Sequence, residues 1–139
     1  RTGVLLGLPF PAGKALDALA SKSGPVRGFP VKLNGLTFSL SGMENKGKAL
    51  AEQGRPPAEI ARFTLETVAS AVRRATDAAR KRWPGLPVLC SGGVASNGRL
   101  KELLRQNCGA LFAQAQFSTD NAMGAAILAW RSLRQEAEA

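Results

Sequence analysis

The stretch Pro87-Val88-Leu89-Cys90-Ser91-Gly92-Gly93-Val94-Ala95-Ser96-Asn97-Gly98-Arg99-Leu100 decides the fold class. Residues 87–90 form a continuous apolar run of strand length, the pattern of a strand covered on both faces. A glycine pair breaks the run, and Leu100, Leu103 and Leu104 then recur at helical spacing. Strand, glycine turn and helix in that order make the repeating unit of α/β layers. Glycines let a backbone come close to a ligand, and a helix start presents free amides and a positive dipole end. The turn therefore offers a seat for a phosphate or an adenylate, with Asn97 in the first helical turn reaching a ribose or a base edge. Glycines also serve plain loop geometry, and that reading stays open here.

Downstream the layout repeats. A short strand fits residues 110–113, and Phe117-Ser118-Thr119-Asp120-Asn121 opens a last helix bearing Met123, Ile127, Leu128, Trp130 and Leu133. Thr119 or Asp120 serves as a helix cap in the plain reading. Two strand-to-helix turns at the same edge of a parallel sheet also form the place where open α/β sheets bind ligands.

Upstream, Pro56 and Pro57 start a helix whose stripe, Ile60, Phe63, Thr64, Thr67, Val68, Ala71, Val72 and Ala75, runs to about Arg82. This stripe is read as core. Before it, residues 43–55 read as a weaker helix, interrupted by Gly47 and ended near Gly54. Strands are expected at 29–33 and 36–40, joined by Asn34-Gly35 in a type I′ turn. A short helix is expected from Lys14 to Ala20, after a loop stiffened by Pro9 and Pro11. A hairpin followed by helix, strand, helix, strand and helix gives one α/β layered domain over residues 1–139.

Composition narrows the chemistry. The chain has 139 residues, 45% hydrophobic and 21% charged, enough for one apolar core without staples. It has no histidine, so Ser-His-Asp and Cys-His nucleophile systems, His-ligated zinc and an HExxH protease are excluded within the chain. The two cysteines, Cys90 and Cys108, lack metal or redox spacing and read as reduced core thiols. No apolar run reaches the roughly 18 to 20 residues of a membrane span, and the chain is expected to be soluble, cytoplasmic and part of a longer protein. Nineteen Lys and Arg against ten Asp and Glu give +9, a field that attracts polyanions. The densest cations, Arg73-Arg74 and Arg80-Lys81-Arg82, share one helix, where they are either a solvated face or a nucleic-acid contact.

Four motifs carry a more specific likeness: Leu-Leu-Gly-Leu-Pro-Phe-Pro-Ala-Gly-Lys-Ala-Leu-Asp at 5–17, Phe-Ser-Leu-Ser-Gly at 38–42, Gly-Gly-Val-Ala-Ser-Asn at 92–97 and Phe-Ser-Thr-Asp-Asn-Ala-Met at 117–123. In this order and spacing the chain resembles the tRNA N6-adenosine threonylcarbamoyltransferases, formerly grouped as O-sialoglycoprotein endopeptidases or M22 peptidases. The resemblance implies an actin-like ATPase fold, ribonuclease H-like in each lobe, with this chain corresponding to the second lobe. It implies transfer of threonylcarbamoyl from its adenylate to N6 of adenosine 37 in tRNA. It also implies an adenine nucleotide, a divalent metal of the iron or zinc class, a related non-catalytic paralogue subunit and a small ATPase subunit.

Motif by motif, Gly13 and Asp17 match positions holding the ribose region of the adenylate. Asn97 matches a nucleotide-contacting asparagine, and Asp120 matches the aspartate that completes the metal site. The family's two metal-binding histidines and its phosphate loop belong to the first lobe and are absent from these 139 residues, so this chain alone is expected to be inactive.

Departures from the family pattern lie at Ala12, at Met43-Glu44-Asn45-Lys46 and at Ser118. They keep a second function in view, a divergent non-catalytic paralogue acting as a nucleotide-binding scaffold or partner subunit. A small-molecule kinase of the same fold superfamily is a third class. Peptidase action finds no support, because Ser39, Ser41, Ser91 and Ser118 have no histidine to activate them.

Overall fold

The computed structural model describes residues 1–114 together with Gly124, Ile127, Leu128, Trp130, Arg131 and Arg134, all six of them helical. The expected cap at Thr119 and the expected metal ligand Asp120 lie outside the described residues. The elements are α1 (Thr2–Leu5), α2 (Gly13–Ala20), β1 (Leu33–Asn34), β2 (Thr37–Phe38), α3 (Ser41–Glu52), α4 (Pro57–Arg82), β3 (Leu89–Cys90), a 3-10 turn (Val94–Ser96), α5 (Gly98–Cys108) and β4 (Leu111–Phe112). Their order is mixed α/β, as the sequence pattern predicts.

Helix α4 is the hub, in contact with α2, α3, α5 and β1. Pro57 at its first turn needs no amide partner, and Arg80, Lys81 and Arg82 in its last turn complement the negative end of the helix dipole. Five of the eight predicted stripe residues, Ile60, Phe63, Thr64, Thr67 and Ala71, are buried. Ala61 and Ala69, on other faces, are buried as well. A helix touched on several sides needs small residues off the main stripe so that neighbours can come close. Ala69 accordingly packs in one cluster with Leu100, Leu104 and Ala110.

Thr67 joins α4 to the segment before β1. Its hydroxyl donates to the Phe63 carbonyl at 2.7 Å and accepts the Phe29 N–H at 2.8 Å. Gly28 has no alternative there, because a Cβ would sit 2.7 Å from the Thr67 backbone nitrogen. Farther along, Arg74 Nη1 donates to the Val31 carbonyl at 2.6 Å.

The hairpin is shorter than predicted and turns one residue later. Leu33 pairs with Phe38 and Asn34 with Thr37, leaving Gly35-Leu36 as the loop. Only Gly35 has positive φ, at 60°, so the type I′ expectation, which needs two such residues, fails; glycine at the first loop position alone suits type II′. Thr37 Oγ1 donates to the Asn34 carbonyl at 2.9 Å and closes the turn.

Helix α3 starts earlier than predicted and runs unbroken through Gly47, which is buried. Gly42 in its first turn has a steric reason: a Cβ would lie 2.9 Å from the Phe29 ring.

Strands β3 and β4 pair in parallel, Leu89 with Leu111 and Cys90 with Phe112, with α5 as the crossover. The expectation of a strand covered on both faces is not met among the described residues. Cys90 and Phe112 pack on the Leu100–Leu104 cluster, whereas Leu89 and Leu111 are 71% and 61% exposed. The side-chain alternation of a strand puts those two pairs on opposite faces, and only one face has α5 against it.

Candidate functional site

Asp17 and Asn97 stand 80 residues apart in sequence, and α2 and α5 bring them into contact. Asn97 Nδ2 donates to Asp17 Oδ1 at 2.9 Å, and the Gly98 backbone N–H donates to Asp17 Oδ2 at 3.1 Å. Asn97 also caps α5, its Oδ1 accepting the Leu100 N–H at 2.8 Å. It precedes the helix instead of lying in the first turn, because the 3-10 turn takes up residues 94–96.

This arrangement changes the reading of the glycine turn. An anion is favoured at a helix N-terminus, and here the anion is the Asp17 carboxylate. A phosphate placed at the same amides would meet that negative charge, so the phosphate seat expected at α5 is already filled from within the chain. A carboxylate whose oxygens each accept one bond retains free lone pairs. Those accept hydroxyl groups, as a ribose would offer.

Gly92, with φ at 95°, makes the turn possible; Gly93 has φ at −60°, and a Cβ there would meet nothing within 4 Å. The conformational need for glycine therefore falls on Gly92. Gly13 begins α2 one turn before Asp17, exposed and with open space around its Cα. Gly13 meets Asp17 only through the α2 backbone one turn on, while the Asp17 carboxylate bonds to Asn97 and Gly98.

A cleft of about 160 Å³ opens beside Asp17, lined also by Ala20, Ser21, Arg62, Leu65, Arg99 and Glu102. Its charged wall is not among the residues singled out from the sequence. Glu66 Oε1 forms an ion pair with Arg62 Nη2 at 2.7 Å and accepts from Arg99 Nε at 2.9 Å, and Arg99 Nη1 donates to Glu102 Oε2 at 2.9 Å. Hydrogen bonding to Glu102, and then to Glu66, pushes the Arg99 guanidinium further up from its ordinary value. Arg62 Nε is buried without a hydrogen-bond partner among the described residues. The Arg62–Glu66 and Arg99–Glu102 pairs are visible in the sequence as helix-spaced opposite charges. The Arg99–Glu66 bond joins residues 33 apart and leaves no such signal.

A metal does not fit the described donors. No group of three or more His, Cys, Asp or Glu side chains among the described residues could hold one, and the chain has no histidine. No described helix is long and apolar enough to cross a membrane.

Comparison with known proteins gives the same family as the motifs. The family described as tRNA N6-adenosine threonylcarbamoyltransferase matches residues 1–127. Relatives bearing that description include a Carboxydothermus hydrogenoformans protein, 34% identical over 88% of this chain and 40% of its own length. One from Thermus thermophilus is 34% identical over 91% of this chain and 41% of its own. One from Paramagnetospirillum magneticum is 32% identical over 97% of this chain and 44% of its own. The chain thus spans about two fifths of the length of these curated relatives. Matched over nearly all of its own length, with the four motifs in order, the chain belongs to the tRNA N6-adenosine threonylcarbamoyltransferase family.

Proposed function

We propose that residues 1–139 are part of a protein that transfers threonylcarbamoyl from its adenylate to N6 of adenosine 37 in tRNA, an acyl-type transfer. The observation that carries this reading is the Asp17–Asn97–Gly98 junction. Two residues that the motifs assign to nucleotide meet at 2.9 Å beside a cleft, on elements far apart in sequence. In this proposal Asp17 accepts hydroxyls of the adenylate's ribose, Asn97 orients Asp17 and meets the nucleotide edge, and Gly13 leaves room for the sugar.

The cleft is smaller than the roughly 300 Å³ at which small-molecule pockets begin. The described residues thus supply one wall, suited to the sugar end. The fold proposed for this wall is the second lobe of an actin-like ATPase. Phosphate contacts, and the larger part of any metal site, fall to residues outside the chain. Asp120 is proposed as this chain's contribution to an iron- or zinc-class divalent site. One carboxylate with no histidine does not make such a site alone, so no catalytic step is assigned to a metal and the 139-residue chain by itself is expected to be inactive. tRNA is the proposed acceptor, with a non-catalytic paralogue and a small ATPase as proposed partners.

The test is calorimetric titration of the full-length protein with an adenine nucleotide. Asn97→Ala and Asp17→Ala are each expected to weaken binding about 10- to 100-fold, the range for hydrogen bonds involving a charged group. Unchanged affinity in both variants, with native circular dichroism, would remove this junction from the nucleotide site. Binding that is lost while wild-type protein still fails to modify tRNA would favour the scaffold reading.

A further inference from the structure

The last turn of α4 and the loop after it stand apart from the cleft. Arg80, Lys81 and Arg82 are consecutive and exposed. None of them forms an ion pair with a described residue; the cations that do are Arg1, Lys48, Arg55, Arg62, Arg73 and Arg99. Residues 78–101 contain five Lys and Arg and no Asp or Glu. No carboxylate of that stretch is present to neutralise the turn.

Trp83 follows directly, 45% exposed, with the Arg82 guanidinium 4.8 Å from its ring centroid. Pro84, Gly85 at φ 85° and Pro87 shape the loop, which also exposes Leu86. Cations at a helix C-terminus help the helix itself. That accounts for a positive residue or two, but not for an exposed tryptophan beside three cations without carboxylate partners.

Arg73 and Arg74, charged neighbours on the same helix, do not belong to this surface. Arg73 pairs with Asp77 at 2.8 Å, and Arg74 is committed to the Val31 carbonyl. The free charge of this helix end is confined to residues 80–82.

We propose that Arg80, Lys81, Arg82 and Trp83 form an RNA contact surface. The three cations sit against phosphates, and the Trp83 ring, held by Arg82, stacks on an unpaired base. This inference rests on the tRNA reading above and adds where the RNA touches. Charge complementarity selects a polyanion, and the exposed ring selects RNA with unpaired bases over an acidic protein or a plain duplex.

The experiment uses full-length protein and two RNAs, an unmodified tRNA anticodon stem-loop and a blunt duplex of equal length, titrated by fluorescence anisotropy over a salt series. The triple variant Arg80→Gln, Lys81→Gln, Arg82→Gln should bind both RNAs about tenfold or more weakly at low salt. Its slope of log affinity against log salt should flatten by about 2 to 3, as expected when three phosphates are no longer neutralised. The control Arg80→Lys with Arg82→Lys should keep the slope. Trp83→Ala should lose about 5- to 150-fold on the stem-loop, keep its salt slope, and leave the duplex unchanged.

Wild-type affinity and slope in the triple variant, with RNA binding otherwise intact, would overturn this surface and spare the tRNA reading. Failure of wild-type protein to bind either RNA would overturn both. Equal competition by polyglutamate at matched charge would assign the patch to acidic protein and overturn the RNA proposal.

Discussion

The α2–α5 junction and the end of α4 both carry several charged or polar residues, and they use them in opposite ways. At the junction Asp17 bonds to Asn97 and Gly98, and beside it Glu66 ties Arg62 to Arg99, which also reaches Glu102. At the end of α4, Arg80, Lys81 and Arg82 bond to no carboxylate among the described residues. The difference teaches that charge content does not distinguish a structural network from an interface. Partners brought from distant sequence make that distinction.

The comparison breaks most directly at the core beneath the junction. Leu104 is fully buried and anchors α5, so Leu104→Ala should cost about 2 to 5 kcal/mol in urea unfolding of the full-length protein and loosen the Asn97 cap with it. A loss below about 1 kcal/mol would mean that α5 is seated by something other than this cluster.

Next in size is Asp17→Ala, which leaves the Gly98 N–H and the Asn97 amide without their acceptor. A destabilisation of about 1 to 3 kcal/mol is expected. The triple Gln variant at 80–82 should stay within roughly 0.5 kcal/mol for each position in the same assay. Equal costs at the two regions would erase the contrast between them.

The glycine turn sharpens it further. Gly92→Ala forces a side chain into positive φ and should cost about 1 to 3 kcal/mol. Gly93→Ala, at φ −60° with open space around it, should be neutral or stabilising by up to about 1 kcal/mol. Thermal melts of the two variants decide which glycine the turn needs.

The smallest effect is at Cys90, whose thiol is pushed up from its ordinary value by burial and then by nearby Cys108. A raised value means the protonated thiol is the form the fold favours. Its contribution is fully present below the ordinary thiol range and is lost as pH rises through the raised one. Iodoacetamide should therefore modify Cys90 more slowly than a free thiol at pH about 8, since fewer thiolates are available. Reaction at the free-thiol rate would contradict the burial of this strand face.

Much of the fold is legible in one dimension because its signals are local. The spacing of Ile60, Phe63, Thr64 and Thr67, the Pro57 start and the basic last turn define α4, and helix periodicity needs only neighbours along the chain. The hairpin expectation misses by one residue because Asn34-Gly35 and Gly35-Leu36 both supply a glycine at positive φ. Register is fixed by pairing across strands, here Leu33 with Phe38. Gly47 reads as a break because its intrinsic cost in a helix is about 1 kcal/mol. Its position within a helix packed on α4 outweighs that cost.

The sequence by itself determined the α/β class, the family and the identity of Asp17 and Asn97 as residues of interest, since motif order and periodicity survive in one dimension. Only the tertiary structure decided what those residues do to each other. Asp17 fills the α5 N-terminus, Glu66 ties Arg62 to Arg99, and Arg73 and Arg74 are committed while Arg80, Lys81 and Arg82 have no carboxylate partner among the described residues. The physical reason is that a hydrogen bond or ion pair reaches only about 3 to 4 Å. Which groups come within that distance across 33 or 80 residues is settled by how the helices pack.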